Sequence, residues 1–505
     1  MSEKIRTIIT QDAEVDDQNS LRHFLLYANE VELQGIVQTS SIFHWIGVPG
    51  ATQPHGSHGD EWTAEEAPYD KPYRWTGTAW MGKAIDDYAA VYENLKTYSS
   101  DYPTPDYLRS ITKVGNIGYA GETERATEGS ELIRKRILDD DPRTLYIQVW
   151  GGTNTIARAL MDIEAEFGGD ASWPALREKI EKKVVITACG EQDGTYRSYI
   201  AEKFPGLQFV RCLQMGSYAY PWRQMPEGES KESLKAAFME NNIIHQGPLM
   251  AGYATWLDGK VYEGEGDPGQ FGSNPDIMKV WFGAKMGLPS YEKHDFLSEG
   301  DSPTFFCLLP FGYRTLENFA NGGIAGRYVL DESQKNSKGE ALNYWNVADE
   351  PYTDSFGKTS VVESMWPHVA DLQHGFAARA RWCTEKASVK SELPPVIEAE
   401  TPLDISAKAG ETVTIAASGH TQTAAPGTST HTKTGKALPV TYSVYGPAST
   451  LEGAADLPLT IEGGKATLTL PAAAKAGNTV HVIARTEEDG PMKLPRFAQF
   501  IITIK

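Results

Sequence analysis

The residues in this chain whose types and spacing could do chemistry are carboxylates. Asp12, Asp16 and Asp17 fall in the stretch Thr7-Ile8-Ile9-Thr10-Gln11-Asp12-Ala13-Glu14-Val15-Asp16-Asp17. Two hard oxygen ligands brought together beside a helix N-terminus suit Ca²⁺ or Mg²⁺. The same residues could equally be a helix cap, Asp16, and a turn residue, Asp12. Far along the chain, Asp301 in Ser298-Glu299-Gly300-Asp301-Ser302-Pro303 reads as the start of a helix or as a turn.

The elements around these residues decide whether they can meet. Thr7 to Thr10 is a β-branched run that predicts a buried strand, and Leu21, Phe24, Leu25 and Ala28 recur at helical spacing from about Asp16. Glu30 to Ser40 predicts a second strand, so the chain opens as a βαβ unit with a parallel sheet. Ligands in such sheets collect at the carboxyl ends of strands, where Asp12 and Ser41 fall. Thr144 to Trp150 predicts a central strand running into Gly151-Gly152-Thr153-Asn154 and a helix to Phe167. Lys183 to Ala188 predicts another, followed by Gly190-Glu191-Gln192-Asp193-Gly194, and Ile111 to Asn116 a further one. Residues 42–82 carry His44, His55, His58 and Trp62 without regular pattern and read as a lid or rim of surface-loop histidines. Residues 213–300 are irregular and aromatic, with Trp222, Trp256 and Trp281. Helical pattern returns at Val361–Ala370 and Phe376–Cys383.

After Cys383 the character changes. The expected organisation is an α/β domain over 1–390, a linker over 391–400 and an immunoglobulin-like β-sandwich over 401–505. Period-2 runs such as Thr412 to Ile415 and Phe497 to Ile502 carry the last assignment; Gly419 to Gly435 reads as a flexible loop. All twelve tryptophans precede Cys383, so the sandwich offers few rings for stacking sugars and reads as a packing or spacer module. Two or three domains are what 505 residues predict. A net charge of −20 with no Lys/Arg-rich run argues against nucleic acid and anionic membranes as partners. No stretch is long enough for membrane insertion. The four cysteines fit neither a zinc site nor a disulfide framework and are expected as buried free thiols. The chain opens Met1-Ser2-Glu3-Lys4 without an apolar leader, which reads as a cytosolic protein or an exported one whose leader has been removed.

Taken together, these positions resemble the nucleoside hydrolase superfamily. The nearer resemblance is to its divergent nucleoside-hydrolase-like branch of cellulose-binding proteins, which pair this domain with a C-terminal sandwich. It covers essentially the whole chain. It implies a mostly parallel α/β fold and a Ca²⁺ site held by Asp12, Asp17, Asp301 and the backbone carbonyl of Trp150, with Asp12 also the general base. Thr10 stands where the family has its first aspartate, and Gly300 where it has a histidine that contacts the nucleoside. Sugar contacts are implied for Asp16, Asn116, Asn154 and the Glu191-Gln192-Asp193 stretch; Ser41 lies near a family asparagine that holds ribose, and His44 and Trp222 complete the expected set. With the histidine gone, His44, His245 and Glu299 are the candidate proton donors to a leaving group. The resemblance implies a Ca²⁺-dependent inverting glycosidase acting on a carbohydrate other than a standard nucleoside. The alternative is a protein that holds a sugar diol through the same ion without turnover. The association with sugar polymers favours a secreted or periplasmic protein, and a homo-oligomer is left open.

Overall fold

Burial on both faces shapes the first domain. In β1 (Arg6–Gln11), Ile8 and Ile9 point to opposite sides and both are fully buried, each in a separate apolar cluster. A strand covered on both faces reads as a continuous apolar run, which is the signature of a parallel sheet. A computed structural model describes residues 4–52, 68–260, 291–309, 311–388, 391–423 and 432–505. It shows helix α1 (Val15–Leu25) leading to β2 (Glu32–Gln38), which pairs parallel to β1. Helices α2 (Ala79–Tyr98) and α3 (Pro105–Ile111) precede the short β3 (Thr112–Val114). Then follow α4 (Glu128–Leu138), β4 (Leu145–Val149), α5 (Asn154–Phe167), α6 (Trp173–Lys183), β5 (Val184–Ala188) and β6 (Gln208–Arg211). With β7 (Tyr328–Leu330) and β8 (Tyr344–Val347) they form one eight-stranded sheet of order β3-β2-β1-β4-β5-β6-β8-β7, parallel except for β7 at the edge.

That order reverses direction between β1 and β4. From β1 the chain winds outward through β2 to β3, and from β4 it winds the other way. The connections therefore diverge at the carboxyl ends of β1 and β4, leaving the crevice where open α/β sheets hold ligands. Asp12 ends β1 and Trp150-Gly151-Gly152 follows β4, so both stretches flank that crevice.

The second domain is a two-sheet sandwich. One sheet contains Val396–Ala399, Thr412–Thr423, Lys465–Thr469 and Thr460–Glu462, with Thr432–Leu438 paired to the long strand. The other contains Asp404–Ala407, Pro495–Ile504, Thr479–Glu487 and Val440–Val444. Ile415, Leu468, Val482, Phe500 and Ile502 fill the space between them. The sandwich is docked on the α/β domain. The backbone N–H of Phe497 donates to the Phe311 carbonyl at 3.0 Å, and Arg485 makes two bonds to Asp371 at 2.7 and 2.8 Å.

Three expectations about elements are corrected. Val396–Ala399 lies in the stretch read as linker but pairs antiparallel with the long sandwich strand, its β-branched Val396 and Ile397 suiting the pleat. Gly419–Thr423 and Thr432–Leu438 are paired strands rather than a flexible loop; the intervening residues lie outside those described, as do His55, His58, Trp62 and Trp281. Val361 to Glu363, expected as helix, belongs to a strand (Thr359–Glu363) hairpinned with Asp349–Thr353, and the helix spans Val369–Arg381. The β-branched Thr359, Val361 and Val362 favour the pleat there. All four cysteines are free and buried, as expected.

Candidate metal centre

The turn from β1 into α1 is built around Asp17. Its Oδ1 accepts the backbone N–H of Asp12 at 3.0 Å, so the end of the strand and the first turn of the helix are tied by one carboxylate. Ala13 between them has φ +77°, a left-handed conformation unusual for a residue with a side chain. This turn aims Asp12 inward; its Oδ1 accepts the Glu14 N–H at 3.4 Å.

The fourth acid arrives from the far end of the domain. Trp150, after β4, donates its indole N–H to Thr304 Oγ1 at 2.7 Å, and Thr304 donates to the Asp301 carbonyl at 2.6 Å. This chain of bonds fixes the 298–304 turn against the β4 end and presents Asp301. One carboxylate oxygen each from Asp16, Asp17 and Asp301 lie within 4.8 Å of one another. Ligand atoms of Asp12, Glu14 and His44 form an adjoining group with the same spread, His44 Nδ1 lying 3.9 Å from Asp12 Oδ2. Asp12, Asp16, Asp17 and Asp301 are all nearly inaccessible.

Such a cluster is electrostatically unstable by itself. Among the described residues no lysine or arginine pairs with any of these four aspartates. Burial first, then neighbouring charge, pushes three of them well above the usual carboxylate range. For Asp16 the neighbours are Glu14 and Asp12, for Asp17 they are Asp12, Asp301 and Asp16, and for Asp301 they are Asp16, Asp12 and Glu14. Asp12 Oδ2, Asp16 Oδ1 and Asp301 Oδ2 are buried without a hydrogen-bond partner. Buried oxygens left unpaired are costly, and hard oxygen donors without a cation are what a divalent ion such as Ca²⁺ satisfies. The donor set fits such an ion.

The other expected contacts are mostly engaged with the protein. Asp193 Oδ2 accepts the Asn154 N–H at 2.7 Å, and its Oδ1 accepts from Thr153 Oγ1 and from both Thr195 donors, so it caps α5 from across the sheet. Asn154 Nδ2 donates to Ser40 Oγ and the Asn116 carbonyl, while its Oδ1 takes bonds from Thr39 and Thr155. Asn116 Nδ2 donates to the Arg125 carbonyl. Gln192 donates to the carbonyls of Trp150 at 2.6 Å and Cys189 at 3.0 Å, so the Trp150 carbonyl already has one partner. Glu191 is held by Arg197 and Tyr344, and Ser41 Oγ accepts the Phe43 N–H. Trp222 is core, its indole N–H donating to the Phe296 carbonyl. These residues build the crevice walls; the amides and carboxylates expected on a sugar are spent on strand-end turns.

Two of the candidate acids are placed away from the cluster. Glu299 is fully buried and bonded to His23 Nδ1 at 2.8 Å, to Tyr253 and to Ser302, with His23 stacked on Phe376 at 3.7 Å. Its side chain turns into the core while its neighbour Asp301 turns to the cluster. His245 is exposed in the turn between short helices, next to Gly247, whose neighbours are Thr384, Cys383 and Val91. Val91 lies three turns along α2 from the end nearest β1, so His245 is remote from Asp12. Glu14 and Ser298 were missed. Glu14 joins Asp12 and His44 and accepts from Tyr220 at 3.2 Å, and Ser298 donates to Asp16 at 3.3 Å. Glu14 was detectable as the acid two residues beyond Asp12; Ser298 carried no signal beyond proximity to Asp301.

The sequence model of the family described as "Cellulose-binding Sde182, nucleoside hydrolase-like domain" matches residues 6–328. This chain belongs to that family. Among solved structures, it is similar to a nucleoside hydrolase-related hypothetical protein from Saccharophagus degradans described as associated with carbohydrate metabolism. The two are 21% identical, each chain is covered over 100% of its length, and the TM-score is 0.65. A plant nucleoside hydrolase, PpNRh1, aligns at 11% identity over 75% of this chain and 99% of its own, with a TM-score of 0.32. No curated protein matches. Gly300 itself borders the acid cluster. A Cβ at 300 would stand 3.1 Å from Asp16 Oδ2, so a side chain there would push on the acid cluster.

Proposed function

We propose that this nucleoside-hydrolase-like chain is a Ca²⁺-dependent hydrolase of a glycosidic bond, acting on a carbohydrate other than a standard nucleoside. The observation that carries this reading is the buried, unpaired set of carboxylate oxygens at the switch point of the sheet. Asp17 and Asp301 would hold the ion together with Asp16, whose oxygen converges with theirs, or with Asp12 from the adjoining group, the Trp150 carbonyl offering its second lone pair. A bound divalent cation supplies Lewis-acid chemistry that lowers the pKa of water and binds vicinal hydroxyls. Asp12 Oδ2, which has no hydrogen-bond partner among the described residues, accepts the proton of the attacking water. The negative charge of Asp16 favours an oxocarbenium-like transition state. His44 is the one of the three candidate acids that stands beside Asp12, and it is assigned proton delivery to the leaving group.

The carbohydrate association of the S. degradans relative and the family's description support a sugar substrate over a nucleoside; a secreted or periplasmic location is part of the same proposal. One observation favours a second reading, binding without turnover: Glu299 and His245 both stand outside the cluster, which leaves leaving-group protonation to a single histidine. The test is incubation with aryl glycosides and oligosaccharides, with EDTA and with Ca²⁺ restored. Hydrolysis should require Ca²⁺ and fall by at least ~100-fold in Asp12→Asn. Saturable sugar retention without product would select the binding reading, and turnover indifferent to both EDTA and Asp12→Asn would end the proposal.

A further inference from the structure

The opposite end of β1 and α1 carries a second polar site, independent of the acid cluster. There the α/β domain and the sandwich enclose a cavity of about 510 Å³, within the range of small-molecule sites. Four cations line it: Lys4, Arg314, Arg379 and, from the sandwich strand Pro495–Ile504, Arg496. Three have carboxylate partners, Lys4 with Asp101 at 2.7 Å, Arg314 with Asp404 at 2.8 Å and Arg379 with Glu30.

Arg496 has none. Among the described residues its guanidinium makes one hydrogen bond, from Nη1 to the Pro495 carbonyl at 3.0 Å, and it lies over the Phe311 ring at 5.1 Å. A guanidinium carries five N–H donors, so most of them are uncommitted. Glu30 offers little relief, because Arg379 and Asn29 already bond it. Arg314 has a second carboxylate partner in Glu317, so four carboxylates match the four cations around the cavity, and what is left over is the hydrogen-bonding capacity of Arg496 rather than net charge. Burial first, and then the Arg379 charge, pushes Arg496 down to about 10 against the pull of Glu30. An arginine stays protonated at that value, so its charge and its N–H donors are both present. Beside it Trp382 stacks on Tyr98 at 4.3 Å and forms an apolar wall.

We propose that this interdomain cavity binds a small organic anion whose carboxylate or phosphate group takes the uncommitted donors of Arg496. The planar fork of a guanidinium matches either group in a bidentate manner, and the apolar wall takes the body of the ligand. Because Arg496 belongs to the sandwich and the wall to the α/β domain, the ligand would touch both.

Calorimetric titration of the full chain at fixed ionic strength tests this, with galacturonate and inorganic phosphate as probes and chloride as the reference. Saturable binding of galacturonate alone assigns a carboxylate, and of phosphate alone a phosphoryl group. Either affinity should weaken at least tenfold in Arg496→Gln and less in Arg496→Lys. Leu316→Glu, at a cavity-lining position 38% exposed, puts a repelling charge at the rim without touching the core and should weaken it several-fold. No saturable binding of either probe overturns the proposal, as does unchanged affinity in Arg496→Gln. Should that variant not fold, unchanged affinity in Leu316→Glu overturns it instead.

Discussion

Asp301 is costly to folding by itself, and the proposed metal site turns on it. Its carboxyl is buried, pressed by Asp16, Asp12 and Glu14, and bonded by nothing at Oδ2. Without a cation this charge opposes folding; with one it supplies a ligand. Asp301→Asn should therefore raise the stability of the metal-free protein by ~1 kcal/mol and abolish the rise in Tm that Ca²⁺ gives the native chain. Calorimetry in EDTA and in Ca²⁺ reads both, and a Ca²⁺ response that survives the substitution would count against the site. The same groups set a pH dependence. Carboxyls whose folded pKa is raised bind more protons folded than unfolded, so their stabilising protonation is complete below the ordinary value and lost as pH rises through the folded one. In EDTA, resistance to urea should fall as pH rises above about 4, and saturating Ca²⁺ should flatten that slope.

At the scale of elements, the crevice depends on strand ends being stitched together by side chains that resemble substrate ligands. Asp193 holds the N-terminus of α5 through two bonds, from Asn154 and Thr153, and two more from Thr195 fix its own turn. Asp193→Ala should cost ~1–3 kcal/mol in stability by orphaning those donors, with Asp193→Asn milder. Urea titration separates this from a role in substrate binding, for which the loss would appear in KM with stability intact. A cap assembled from a residue 39 positions away has no local pattern. The β1 strand, the α1 start and the strand-to-helix turns were legible, because burial and turn chemistry act within a few residues. Whether Asp193 meets a sugar or a helix N-terminus was not, since the residue type suits both. The strand Thr359–Glu363 was misread for a related reason: a short apolar run serves helix or strand until a partner such as Asp349–Thr353 selects one.

The whole molecule is joined across a tight seam. Gly312 has φ +101°, and a Cβ there would lie 1.8 Å from the Phe497 carbonyl oxygen, on backbone that cannot move alone. Gly312→Ala should therefore separate the domains, converting a single calorimetric transition into two; one unchanged transition would show the seam to be dispensable. Asp371 anchors the same interface. Burial would raise its carboxyl, but His368, 3.6 Å away, and the two bonds and the charge of Arg485 hold it below the usual range. A lowered folded pKa contributes stability above the unfolded value, lost as pH falls through the folded one, so docking should loosen below about pH 4. Asp371→Asn should show that loosening already at neutral pH.

Sequence alone determined the parallel α/β domain, the sandwich after Cys383, and the acid pair beside the first helix, because alternation, helical spacing and strand-end turns are written locally. It also carried the family. Tertiary structure decided which acids share a point: Asp301 reaches Asp17 only because Trp150 and Thr304 pin its turn to the end of β4. It also removed Glu299 and His245 from the chemistry, since the direction of a side chain depends on what packs behind it, and His23, Tyr253 and Val91 are distant in the chain.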